Sequence, residues 1–399
     1  MSPTDTIFGI ALTVALGVSA QILAGRLRLP AIVVLLPVGF GAGILLPVIR
    51  ADRLFGDSFA PLVHLAVAVI LYEAGLRLDL RRLAGEPGRV LVRLVMWGIL
   101  LAWTAVAALA VPLLDISPGA ALMLGAIVVV SGPTVIGPLL DFVNPRAKLR
   151  RLLLWEGTVI DPVGAILAAA TFRALAHGPH TGVPDIAGRL VLSVALGFAG
   201  GVVGAVLLWL LARWPLDPPL ARTAELAALV LTAGTCDVLL DDTGLIAATV
   251  MGIAVATRRA PKAPPGTAFF QTLTSLIVGV LFISISTTVT PDALGDVLLP
   301  TLVLVAVLVV VVRPLIVVLA TVRTELDGRE RVFIGWMAPR GIVAAATAST
   351  FSGDLVARGY TGAAQILPAT FLIIVATVLI YGLTAVPVAN RLRLSKPSP

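Results

Sequence analysis

Charge is scarce in this chain of 399 residues: Asp, Glu, Lys and Arg together make up 13%, against 58% hydrophobic residues. A soluble domain carries about 25% charged residues, roughly twice as much, so the composition excludes an ordinary soluble fold. Cysteine is nearly absent. The single Cys236 excludes a disulfide framework and a thiolate metal cluster. There is no His-Glu-x-x-His metal motif, no Gly-x-Ser-x-Gly elbow and no lysine inside an apolar run. Zinc and covalent catalysis therefore have no candidate residues, and neither an enzyme nor a cofactor is expected. A cleavable leader is not expected either, because the first apolar run lacks a basic region before it and an Ala-x-Ala site after it. The net charge of +7 does not point to nucleic acid, since the arginines are scattered through short gaps and form no basic face.

What the chain has is apolar length. Its mean hydropathy is +1.04. Apolar runs with polar punctuation predict thirteen spans, near 6–24, 31–49, 59–76, 90–112, 118–142, 152–173, 188–212, 223–240, 243–257, 268–287, 296–321, 331–351 and 364–389. Spans 8 and 9 are separated only by Asp241-Asp242-Thr243-Gly244. No run alternates with the strand period, which argues against an outer-membrane barrel. The expected fold is all-α and membrane-spanning.

Basic residues set the expected orientation. Alternate gaps on one side hold 21 of the 29, including Arg77, Arg89, Arg146, Lys148, Arg150 and Arg151, while the other side holds five. Arginine and lysine collect on the cytosolic side. The N-terminus is therefore expected outside and the C-terminus in the cytosol of the inner (plasma) membrane. The tail after Asn390 is short and basic, so a cytosolic regulatory domain, if there is one, is expected on another chain or outside this sequence.

Four charged residues break the apolar pattern. Asp161 lies in the middle of the run Leu152–Phe172, Glu156 lies five residues before it, and Arg313 and Arg340 lie in later spans. Each is costly at that depth unless it is paired, protonated or bound to an ion. Five residues turn a helix by about 140°, so Glu156 and Asp161 point different ways and take different roles. Glu156 is expected to neutralise an arginine, Arg313 first and Arg340 second. Asp161 shares its face with Gly157, Gly164 and Ala165, which are expected to leave room for an ion. One carboxylate can hold a proton or a metal cation but not both, and access alternating between the two sides then gives coupled exchange.

Blander roles are expected elsewhere. Glu73 should pair with Arg77 or Arg93, or line an access funnel. Asp237, Asp241 and Asp242 should be solvated at an external helix end. His64 should be a packing residue, and His177 and His180 belong to an external loop.

Proline marks where helices should open. Span 5 carries Ser131-Gly132-Pro133-Thr134, span 6 Asp161-Pro162, span 11 Arg313-Pro314 and span 12 Pro339-Arg340-Gly341. Proline lacks an amide hydrogen and frees the carbonyl four residues back: Val129 for Pro133, Thr158 for Pro162 and Gly335 for Pro339. Broken helices survive in a membrane only inside protein or along a polar cavity, and freed carbonyls with Ser and Thr hydroxyls are ligands for Na+ or K+. The breaks in spans 5 and 12 each fall in the fifth span of a six-span set (1–6 and 8–13), as in transporters built from inverted repeats.

Together, Ser131-Gly132-Pro133-Thr134-Val135-Ile136-Gly137-Pro138, Trp155-Glu156-Gly157-Thr158-Val159-Ile160-Asp161-Pro162 and Ala338-Pro339-Arg340-Gly341 resemble the monovalent cation:proton antiporter family of NhaP type. Leu71-Tyr72-Glu73-Ala74-Gly75-Leu76 is similar to a further family segment. The resemblance covers all thirteen spans. It implies a homodimer in which core helices (90–175 and 291–390) move against dimerisation helices (1–89 and 223–290), with linker helix 7 in 176–222 and a basic tail in 391–399. Asp161 would bind cation and proton, joined by Thr158, Ser131 and Thr134. Glu156 would pair with Arg313, and Gly132, Pro133, Pro339, Arg340 and Gly341 would form the crossing. Two positions depart from the family. Ser131-Gly132-Pro133 stands where many members have Thr-Asp-Pro, and Ile160-Asp161 where many have Asn-Asp. One carboxylate then remains, which implies electroneutral 1:1 exchange of Na+ or K+ for H+. The alternative reading is a symporter of a small organic anion held at broken-helix N-termini.

Overall fold

Each of the thirteen expected spans is helical in the computed structural model, which describes residues 3–27, 29–78, 85–176, 183–240, 243–258 and 267–394. His177, His180, Asp241, Asp242, the end of the tail and the side chains of Pro133 and Thr134 lie outside the described residues. The first four spans are α1 (Pro3–Leu27), α2 (Ala31–Leu45), α4 (Phe59–Leu76) and α5 (Glu86–Leu114), with the short α3 (Ala51–Phe55) before α4. Span 5 is split into α6 (Pro118–Val129) and α7 (Pro133–Val143), and span 6 is α8 (Ala147–Ala176). Spans 7 to 10 are α9 (Val183–Leu211), α10 (Pro218–Leu239), α11 (Thr243–Arg258) and α12 (Thr267–Ser286). Span 11 joins α13 (Pro291–Val307) to α14 (Arg313–Ala320) through one wide turn, Leu308–Val312. Span 12 is split into α15 (Gly328–Trp336) and α16 (Ile342–Ala357), and span 13 is α17 (Ile366–Arg391).

The boundaries follow local chemistry. Ser117 accepts from the Ala120 amide, with Pro118 at the first position of α6, and Thr290 accepts from the Ala293 amide at the start of α13. Asp327 and Glu330 form a reciprocal capping box on α15. Asn144 closes α7 in the left-handed region at φ 46°. Asp237 is not simply solvated as expected: its Oδ1 accepts from the Gly244 amide at 2.7 Å and ties the end of α10 to the start of α11.

Four proline sites were expected to open their helices, and two do. Gly132 is extended at φ −74°, ψ 138°, as the residue before a proline prefers, and α7 restarts at Pro133. Met337 and Gly341 are likewise extended and separate α15 from α16. In contrast, α8 runs unbroken through Pro162. It is packed by α5, α6, α7 and α16, which hold the helix in line despite the lost hydrogen bond. At Pro314 the helix absorbs the missing amide by widening one turn, and the Arg313 amide reaches back five residues to the Leu308 carbonyl.

The two broken spans lie in the buried interior, with Ala126 to Val130 almost wholly covered. Large apolar side chains elsewhere, such as Val203, Leu231 and Val310, face outward on α9, α10 and the wide turn of span 11. On a membrane-spanning chain this outward apolar surface meets lipid.

Candidate ion-binding site

The breaks in spans 5 and 12 meet, and Arg340 joins them. Pro133 cannot donate to the Val129 carbonyl, so that oxygen is left without its helical partner. Arg340, in the break of span 12, fills the gap: its Nη1 donates to the Val129 carbonyl at 2.8 Å and to the Val130 carbonyl at 3.3 Å. Arg313, from span 11, reaches the other break: its Nε donates at 3.2 Å to the Ile334 carbonyl near the end of α15, which also accepts from the Met337 amide. The rest of the Arg313 fork grips Glu156. Nη2 donates to Oε2 at 2.9 Å and Nη1 to Oε1, a bidentate pair between side chains that are both buried.

Asp161 stands apart from this pairing. It is 1% exposed, and neither carboxylate oxygen has a hydrogen-bond partner among the described residues. Arg340 is the cationic neighbour whose field reaches it. Both expected faces of α8 are therefore in use: Glu156 turns to Arg313, while Asp161 turns to the crossing. Gly164 does not leave room for an ion as expected. A Cβ there would lie 2.4 Å from Val130 Cγ2, so the missing side chain lets α8 close onto the span 5 break. That close approach is what brings Asp161 to the crossing.

Two cavities flank this turn of α8. A small one, about 20 Å³, is lined by Ser131, Glu156, Ile160, Arg313, Arg340 and Tyr381, and it is large enough for a single water. A cleft of about 420 Å³ is lined by Glu73, Arg77, Asp141, Gln271, Thr274 and Thr158. Thr158 faces the cleft and Ile160 the small cavity, so the turn carrying Asp161 separates the two. The Thr158 hydroxyl donates to the Leu154 carbonyl at 2.8 Å, which leaves its oxygen able to accept. Glu73 accepts from Arg77 Nε at 2.6 Å in the cleft wall, while Arg93 turns away to the Val322 carbonyl.

Several participants were not singled out in the sequence. Thr377 accepts from the Arg340 amide at 3.3 Å, and Tyr381, one turn further along α17, faces both arginines. Two polar residues four apart in an apolar span are the signal that would have found them. Glu225, near the start of span 8, accepts from the Tyr72 hydroxyl at 2.5 Å and from Arg222 at 2.7 Å.

Known proteins share this arrangement of helices. The sodium/hydrogen exchanger transmembrane family matches residues 10–391. The K(+)/H(+) antiporter NhaP of Alkalimonas amylolytica is 24% identical over 98% of this chain and 67% of its own length. The K(+)/H(+) antiporter NhaP2 of Shewanella oneidensis is 25% identical over 97% of this chain and 67% of its own. The structure of the sodium proton antiporter MjNhaP1 from Methanocaldococcus jannaschii at pH 8 superposes with a TM-score of 0.86 at 18% identity. That alignment covers 98% of this chain and 99% of the other. The family match spans nearly every helix described above, broken pair included, and the chain belongs to the sodium/hydrogen exchanger family of membrane transporters.

Proposed function

We propose that this chain exchanges Na+ or K+ for H+ by alternating access, with cation and proton competing for the carboxylate of Asp161. The observation that carries the reading is the pair of unpartnered, buried Asp161 oxygens where α8 meets two broken helices. An ionised carboxylate is prohibitive there unless neutralised, and a proton or a monovalent cation each does so. Ser131, Thr158 and backbone carbonyls of the break are the neutral oxygens that complete a shell. Glu156 is fully engaged by Arg313 and acts as a structural brace. With one acid at the site, each half-cycle moves one proton or one cation, and exchange is electroneutral.

The cleft that runs from Glu73 and Asp141 to Thr158 is the access route in this state. It opens beside Arg77, which belongs to the arginine-rich set of gaps, so the chain is read as facing the cytosol, with its N-terminus outside and its C-terminus inside the plasma membrane. The broken spans and α8 act as the moving core against a second body built on α1, α2, α4 and α10 to α12, in a homodimer. Relatives named for K+ and a structural neighbour named for sodium support a monovalent cation of either kind.

Proteoliposomes carrying a pH dye test the reading. An imposed proton gradient should collapse on adding Na+ or K+, and Asp161→Asn should abolish the response. Cation-driven proton flux that survives in the variant would move the site elsewhere.

A further inference from the structure

Exchange at Asp161 leaves three polar residues of α17 without a role. Thr377, Tyr381 and Thr384 recur at intervals of four and three, so they share one face of the helix. Each holds a residue at or beside the span 12 break. Thr377 accepts from the Arg340 amide at 3.3 Å, Tyr381 accepts from the Ala338 backbone, and Thr384 accepts from Trp336 Nε1 at 2.8 Å. Both threonines give their own protons to carbonyls of α17, Ile374 for Thr377 and Ile380 for Thr384, which turns their free lone pairs toward the break.

The spacing explains the match. The chain is not helical from Met337 to Gly341. Alternate residues of an extended chain face one side about 6.6 Å apart, and four residues of a helix rise about 6 Å. Just over one turn of α17 therefore presents acceptors at the interval at which the break presents amides. An amide without an acceptor is costly inside a membrane, so this face replaces the helix ladder that Pro339 interrupts.

What the ladder holds is Arg340. Arg313 is neutralised by Glu156, whereas Arg340 donates to the Val129 and Val130 carbonyls and its charge reaches Asp161. A guanidinium beside the site opposes an incoming cation, so its placement governs how tightly Asp161 binds one. We propose that Thr377 and Tyr381 are positioning residues that set cation affinity at Asp161 by fixing Arg340, an inference that rests on Asp161 as the exchange site.

Transport kinetics in proteoliposomes test it, at alkaline pH where protons compete least. Thr377→Val removes the acceptor at nearly constant shape, and Arg340 is then no longer fixed beside the site. The apparent KM for Na+, or for K+ where that ion drives exchange, should fall about threefold, part of the roughly tenfold or more that a full neighbouring charge is worth. Thr377→Ser should keep the wild-type KM. Tyr381→Phe should act like Thr377→Val, and it takes its place if Thr377→Val fails to fold. In an Arg340→Gln background, Thr377→Val should change KM no further. A lower rate at unchanged KM marks a merely structural role and overturns the proposal, as does a KM change of full size in the Arg340→Gln background. Should Arg340→Gln fail to fold, amide hydrogen exchange across 337–341 decides. It should quicken in Thr377→Val and not in Thr377→Ser, and equal protection in both and in wild type overturns the proposal. Wild-type exchange with an unmoved KM in Thr377→Val leaves the Asp161 site standing, whereas exchange retained in Asp161→Asn removes that site and this inference with it.

Discussion

Arg340 donates to the carbonyl of Val129 at 2.8 Å, so the break in span 12 satisfies the oxygen that the break in span 5 exposes. The two discontinuities are not independent weaknesses in the membrane. Each supplies what the other lacks, and the arginine that joins them is also the charged neighbour of Asp161.

Removing that arginine should loosen the crossing. Arg340→Ala leaves two buried carbonyls without their donor, and a hydrogen bond to a charged group is worth about 1.5–3 kcal/mol. A lower unfolding temperature in detergent than wild type is expected, with Arg340→Lys intermediate because an ammonium lacks the fork. An unchanged midpoint in Arg340→Ala would mean the carbonyls find other partners.

The Glu156–Arg313 pair should behave as a unit. Glu156→Gln leaves a guanidinium buried without its counter-charge, at a cost of about 3–5 kcal/mol. The double variant Glu156→Gln with Arg313→Gln should recover much of the loss. A thermal-unfolding double-mutant cycle gives the coupling directly, and additive losses would show that the pair is not what braces α8.

Close packing at Gly164 gives a prediction of opposite character. A methyl group there collides with Val130, and overpacking costs about 1–3 kcal/mol. Gly164→Ala should reduce the yield of monodisperse protein, and adding Val130→Ala should restore it. Equal yields for Gly164→Ala and wild type would place α8 further from the break.

Much of this was legible in the sequence, for identifiable reasons. Apolar runs long enough to span a bilayer leave few alternatives, and even the short gap between spans 8 and 9 is a real helix boundary. Pairing of Glu156 with an arginine follows from the cost of an isolated charge at that depth. The fate of the prolines was less legible, because proline alone does not decide between a break, a wide turn and an unbroken helix. Neighbours do, and they are tertiary. Gly164 was read as space for an ion, but the space belongs to Val130, whose position depends on the span 5 break. Tyr72 and Glu225 are 153 residues apart, and nothing local announces their bond.

Competition at one carboxylate has a kinetic signature. If protons and cation compete for Asp161 as proposed, protons exclude the cation at low pH, and the apparent KM for Na+ or K+ should fall as pH rises. The slope should approach about tenfold per pH unit while the proton-bound form dominates. Maximal rate should be unaffected by a membrane potential imposed with valinomycin and K+ when Na+ is the exchanged ion. A KM independent of pH would separate the two sites.

Asp161→Asn is the most direct test of the central claim. In proteoliposomes with an imposed proton gradient, the wild type should release protons on addition of Na+ or K+, whereas the variant, folded and inserted equally well, should give no cation-dependent signal. Retained exchange in Asp161→Asn would contradict the account, because among the described residues no other buried carboxylate at the crossing is free of a guanidinium partner.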